Sequence, residues 1–211
     1  MLDLTLYVKF FLGLIAIINP FGLLPVFVSL TSHQTEVERN QTGKIANFAV
    51  VVILLVTIFA GQHILNLFSI SLSAFRIAGG SLICIIAMSM LQGKLGEVKR
   101  NKEEDREASG MESVAVVPLA LPLMAGPGAI SSVIVSAAEH NTLENLIGMS
   151  ITVILFGLLS FSLFRMAPLI FKVLGNTGIN VITRLMGLLM LSIGIEVIGA
   201  GIKGLFPGVM A

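Results

Sequence analysis

A chain of 211 residues with 55% hydrophobic and 12% charged side chains and a mean hydropathy of +0.98 carries far more apolar surface than a water-soluble domain. Thirteen basic against twelve acidic residues leave a net charge of +1, which offers no basic face for a nucleic-acid backbone. The single cysteine, Cys84, excludes both a disulfide framework and a cysteine metal site within one chain.

A bilayer core about 30 Å thick needs about 20 apolar residues of α-helix. Six windows of suitable length run in chain order over 4–30, 45–67, 74–92, 113–137, 145–166 and 180–204. Their all-round apolarity and the need to satisfy backbone groups in lipid point to helices, and no alternating short strands suggest a barrel. The first window opens Met-Leu-Asp-Leu, without the basic stretch of a secretory signal, and is expected to be a retained span. The sequence therefore reads as one all-α, polytopic membrane domain, 1–211.

Within the first window, Pro20, Gly22 and Pro25 should interrupt the helix, because proline lacks an N–H and clashes with the preceding turn. Asn19 could cap the restarted helix, present its amide to a polar ligand, or do both. In the second window His63 lies near a span end, where an interfacial position is expected. In the third, Arg76 is a charge on an apolar segment, free either to snorkel or to meet an anion.

Between the third and fourth windows, the loop 93–112 is rich in both charge signs and reads as a solvated linker. The fourth window holds Pro118 and Pro122, then Pro127 flanked by Gly126 and Gly128, with Ser131 and Ser132 one turn on. In the sixth, Arg184 repeats the placement of Arg76, and Glu196 is the acidic residue deepest in any span. Glu196 could carry a coupling proton, serve as a neutral structural carboxyl, or lie at the interface. Gly79, Gly80, Gly187 and Gly194 suit close helix contacts.

The segment from Asn19 to Ser29 lies over that from Gly126 to Ser136 at an offset of 107, and Arg76-Ile77-Ala78-Gly79 lies over Arg184-Leu185-Met186-Gly187 at 108. Two repeats, approximately 1–95 and 112–211, each hold three spans. An odd number makes the second repeat enter the membrane inverted, with the first and fourth helices broken. Inverted repeats of this kind recur in secondary transporters, whose sites form where broken helices meet.

Basic residues set the orientation. With the N-terminus outside, inside loops and flanks hold Arg39, Lys44, Lys94, Lys99, Arg100, Lys102, Arg106, Arg165, Lys172 and Arg184, against Lys9, Arg76 and Lys203 outside. Both termini are therefore expected on the outer side.

A helix restarting after a break points free N–H groups and partial positive charge at the space before it, a seat for a carboxylate. The expected substrate-binding residues are Asn19, Pro20, Gly22, Gly126, Pro127, Gly128, Ser131 and Ser132, with Arg76, Arg184 and Glu196 as charge or coupling candidates. Signatures of hydrolases, nucleotide-driven enzymes and zinc proteins are missing, and three scattered histidines give no metal site. The chain is thus expected not to be an enzyme and to hold no cofactor or metal.

The runs Ile18-Asn19-Pro20-Phe21-Gly22-Leu23-Leu24-Pro25-Val26-Phe27, Phe75-Arg76-Ile77-Ala78-Gly79-Gly80, the stretch from Pro118 to Ser131, and that from Gly178 to Gly187 resemble the MarC family of bacterial membrane proteins, especially its YchE-like branch. The resemblance implies a six-helix inner-membrane protein related to SnatA transporters, which carry small neutral amino acids with proton coupling. The function expected is secondary transport of such zwitterions, with the lipid bilayer, a small solute and a coupling proton as partners and no nucleic acid. The alternatives are a scaffold or regulatory protein acting through the charged loop, or, more weakly, an intramembrane enzyme using Glu196.

Overall fold

The computed structural model describes residues 4–31, 34–93 and 124–207. Most of the charged loop, together with Pro118 and Pro122, falls outside these residues. The described residues are all-α: α1 (Leu4–Ile18), α2 (Pro20–Leu30), α3 (Glu36–Leu67), α4 (Leu72–Leu91), α5 (Pro127–Glu139), α6 (Leu143–Arg165) and α7 (Ala167–Leu205).

Helix starts follow local chemistry. Thr35 and Glu38 form a reciprocal capping box at α3, with Thr35 N donating to Glu38 Oε2 at 2.8 Å and Glu38 N to Thr35 Oγ1 at 3.4 Å. Ser71 caps α4 by accepting from Ala74 N, and Thr142 caps α6 by accepting from Asn145 N. Proline occupies the first turn of α2, α5 and α7, where its missing N–H costs no helical bond.

Among the described residues, four stretches are long and apolar enough to cross a membrane: Glu36–Leu67, Leu72–Leu91, Leu143–Arg165 and Lys172–Leu205. The pair α1 and α2, bent by 41° at Asn19, adds a fifth if it is one span. Large apolar side chains point outward along these helices, among them Val52, Val56, Ile151, Leu155, Leu185 and Leu189. Such a surface fits acyl chains rather than water. The protein is a multi-pass membrane protein.

Glycines line the crossing of α4 with α7. Along α4 and α7, Ser73 and Ile77 meet Gly201, Gly80 meets Gly194, and Ala87 and Met90 meet Gly187, so the two helices run antiparallel. The same sense holds for α3 and α6, where Gly43 lies by Phe164 and Val51 presses on Gly157. Beyond these pairs, α2 packs on α6 and α7, while α5 packs on α3 and α4. The core between them is filled by Leu14, Ile18, Leu23, Leu24, Leu54, Val133 and Phe156, with Phe27 stacked on Phe164 at 4.6 Å.

Candidate functional site

The break in the first expected span is built by two adjacent residues. Pro20 disfavours the right-handed helical region for the residue before it, and Asn19 takes the left-handed conformation instead, at φ 48° and ψ 67°. Asparagine tolerates that region better than other residues with a β-carbon. Asn19 N still closes α1 on Ile15 O at 2.9 Å, while its side-chain Oδ1 accepts from Gly22 N at 3.2 Å and opens α2. Asn19 is fully buried, and its Nδ2 has no hydrogen-bond partner. The N-terminus of α2 is thus capped from within.

The start of α5 differs. Gly126 stands at its N-cap with φ −65° and ψ 172°, and no side chain caps it. Pro127 is exposed and Gly128 is buried. A β-carbon at Gly128 would lie 3.9 Å from Ile17 Cγ2 and 3.3 Å from Ile86 Cδ1. The opening turn of α5 therefore rests beside the last turn of α1, just before the Asn19 break. Ser131 is buried against Gly79, where a β-carbon would come within 2.6 Å of Ser131 Cβ.

A cavity of about 400 Å³ opens between α1, α4, α5 and α7. Its walls include Lys9, Gly13 and Ile17 from α1, Arg76 from α4, Ser132, Ser136 and Glu139 from α5, and Glu196, Val197 and Ala200 from α7. Arg76 forms an ion pair with Glu139; the two side chains are 15% and 40% exposed. The guanidinium Nε of Arg76 is buried without a partner. Lys9 and Arg76 balance Glu139 and Glu196 in formal charge across a largely apolar chamber.

Of the substrate-binding residues expected from sequence, Ser132 lines this chamber. Asn19, Pro20, Gly22, Gly128 and Ser131 are instead buried outside its lining, Gly126 is half-buried and Pro127 is exposed. Arg76 and Glu196 line the cavity together, but Arg76 pairs with Glu139 rather than with Glu196. Arg184 lies elsewhere, exposed, with one guanidinium nitrogen 3.6 Å from where a β-carbon of Gly93 would sit. His63 is exposed near the end of α3. Among the described residues no group of three or more His, Cys, Asp or Glu side chains could hold a metal ion.

Sequence reading missed Glu139, Lys9 and Ser136. The signal was present as helical spacing: Ser132, Ser136 and Glu139 fall on one face of α5, as Ile193, Glu196, Val197 and Ala200 do on α7. Bringing those faces together requires the tertiary fold.

The model for "MarC family integral membrane protein" matches residues 4–206, and the chain belongs to that family. It is 55% identical over 208 residues to the UPF0056 membrane protein YhcE of Escherichia coli, covering 99% of this chain and 97% of that one. Identity to a UPF0056 membrane protein of Buchnera aphidicola from Schizaphis graminum is 47% over 210 residues, covering 100% and 98%. With YvbG of Bacillus subtilis, another UPF0056 membrane protein, it is 36% over 201 residues, covering 95% of each chain. No solved structure matches.

Proposed function

We propose that this protein is a secondary transporter of small neutral amino acids or similar zwitterionic solutes in the bacterial inner membrane, with proton coupling. The observation that carries the reading is the charge-balanced cavity between α1, α4, α5 and α7, which runs from the Arg76–Glu139 pair towards Ile17, where the start of α5 meets the end of α1. A solute that enters it approaches the one uncapped helix start among the two broken elements. The free N–H groups of that turn suit a carboxylate, and Ser132 adds a hydroxyl on the same side.

The same reading takes the chain as six spans in two inverted repeats, with both termini periplasmic. Support comes from matched packing: α2 crosses to α6 and α7 as α5 crosses to α3 and α4. Corresponding helices, α4 with α7 and α3 with α6, run antiparallel, as inversion requires. Rocking of one repeat against the other about the cavity would expose it alternately to the two sides.

Counterflow in proteoliposomes tests the proposal without requiring that the driving ion be known. Vesicles loaded with unlabelled alanine or glycine should transiently accumulate the labelled solute, and empty vesicles should not. Failure across a panel of neutral amino acids would remove transport of this class.

A further inference from the structure

We propose that Arg76 is the first receptor for the solute's carboxylate, met before the carboxylate reaches the start of α5, and that Glu139 is its built-in competitor, released when the solute binds. The inference rests on the transporter reading and deepens it by assigning the recognition step to one guanidinium.

Arginine presents donors in a rigid fork, and a carboxylate fills one edge of it with two parallel hydrogen bonds. Glu139 reaches Nη2 through one oxygen, while Nε is buried and unpartnered. An incoming carboxylate that took both Nε and Nη2 would satisfy a donor that the resting state leaves idle. A buried donor without a partner carries a desolvation cost that such binding relieves.

Burial decides which partner gives way. The Arg76 side chain is 15% exposed and that of Glu139 is 40% exposed, so Glu139 can turn into water at a cost that Arg76 cannot match. Glu139 is also the last residue of α5, where the negative end of the helix dipole disfavours a carboxylate. Its place there depends on Arg76 and not on its own helix.

Release would free a carboxylate in a cavity that already holds Glu196. A solute carrying an ammonium group one carbon from its carboxylate restores the balance; a plain carboxylate does not. Arg76 then supplies affinity for the acid group, and Glu196 selects the zwitterion. A solute with a second carboxylate would add an unmatched anion and be rejected.

Chemical modification of the intact purified protein reads the site without relying on transport. Phenylglyoxal attacks free guanidinium groups, and peptide mass spectrometry reports Arg76 separately from exposed Arg184, which serves as the internal control. Alanine should slow modification of Arg76 and not of Arg184, with acetate weaker, and ethylamine and glutamate without effect. In Glu139→Gln, with the competitor gone, the alanine concentration for half-protection should fall about fivefold. Glu139→Ala provides the same comparison if Glu139→Gln fails to fold. Unchanged Arg76 reactivity in alanine, or equal half-protection in wild type and both variants, overturns the assignment. Protection of Arg76 in a protein that shows no counterflow would retire the transporter reading and keep the binding site; counterflow without protection would do the reverse.

Discussion

Gly80 and Gly194 face each other backbone to backbone where α4 crosses α7: a β-carbon on Gly80 would lie 2.8 Å from the Gly194 carbonyl oxygen, and one on Gly194 would lie 3.0 Å from the Gly80 carbonyl oxygen. Side-chain atoms also crowd the two positions, Ile198 Cγ1 at Gly80 and Cys84 Sγ at Gly194, each at 2.7 Å, but the facing carbonyl oxygens belong to the helix backbones and cannot turn aside, so a larger residue must separate the axes. Gly80→Leu and Gly194→Leu are each expected to destabilise the fold by about 1–3 kcal/mol or more, read as a lower melting temperature in detergent. Gly199, on the same helix with nothing within 4 Å of a β-carbon, is the control. Gly199→Ala should leave the melting temperature unchanged or raise it. Equal loss at positions 194 and 199 would mean that the crossing is not set by these glycines.

Asn19 joins two roles that substitutions can separate. Asn19→Ala loses the bond from Gly22 N and keeps a β-carbon in the left-handed region, costs of about 1 kcal/mol and about 1–2 kcal/mol. Asn19→Gly loses the same bond but relaxes the backbone. Thermal melting should therefore rank wild type above Asn19→Gly above Asn19→Ala. Glycine ranking below alanine would contradict the left-handed cap.

The Asn19–Pro20 break was legible in sequence because both its causes are local: a proline, and a residue type that accepts the conformation proline imposes on its neighbour. The spans of α3, α4 and α6 were legible for a similar reason, since apolarity sustained over a bilayer's width needs no knowledge of neighbours. The start of α7 was not. It begins at Ala167, with Pro168 in its first turn, and kinks at Gly175, whose φ of 58° and ψ of −175° are non-helical and where nothing lies within 4 Å of an added β-carbon, a conformation that glycine permits without requiring. Glu139 escaped notice because its importance lies in a partner on α4, 63 positions away, and chain order carries no signal for that pairing. The internal repeat pointed to Arg76 and Arg184 as equals. Only the fold separates them, since one lies in the cavity and the other is exposed beside Gly93.

Membrane orientation can be tested from the hydrogen bond between Asn141 Nδ2 and Gln62 Oε1, 2.9 Å long, which ties the α5–α6 turn to the end of α3. If the termini are periplasmic, this face is outside and Glu36, at the opposite end of α3, is inside. In a Cys84→Ala background, a membrane-impermeant maleimide should label Asn141→Cys in intact cells and Glu36→Cys only after permeabilisation. The opposite pattern would place both termini in the cytoplasm and turn the cavity around with them.

Gly128 is where the start of α5 comes into contact with the end of α1, and its neighbours set the size it can accept. A β-carbon there would meet Ile86 Cδ1 at 3.3 Å, Ile83 Cγ1 at 3.5 Å and Ile17 Cγ2 at 3.9 Å, all of them side-chain atoms that can shift by a few tenths of an ångström. Gly128→Ala should therefore keep most of the counterflow activity. Leucine adds three further carbons to a filled space, and the strain relaxes most easily by moving the short α5 off α1. That motion would displace Ser132 and the uncapped turn from the deep end of the cavity. Counterflow by Gly128→Leu should fall by more than about tenfold, a loss equivalent to a barrier change of about 1.4 kcal/mol, while membrane insertion and elution volume stay as in wild type. Pro127→Ala tests the other component, the break itself, because alanine lets the helix run back through Gly126; it too should abolish transport in an inserted protein. Wild-type uptake by both variants would show that solute passes without the seat formed where α5 starts against α1.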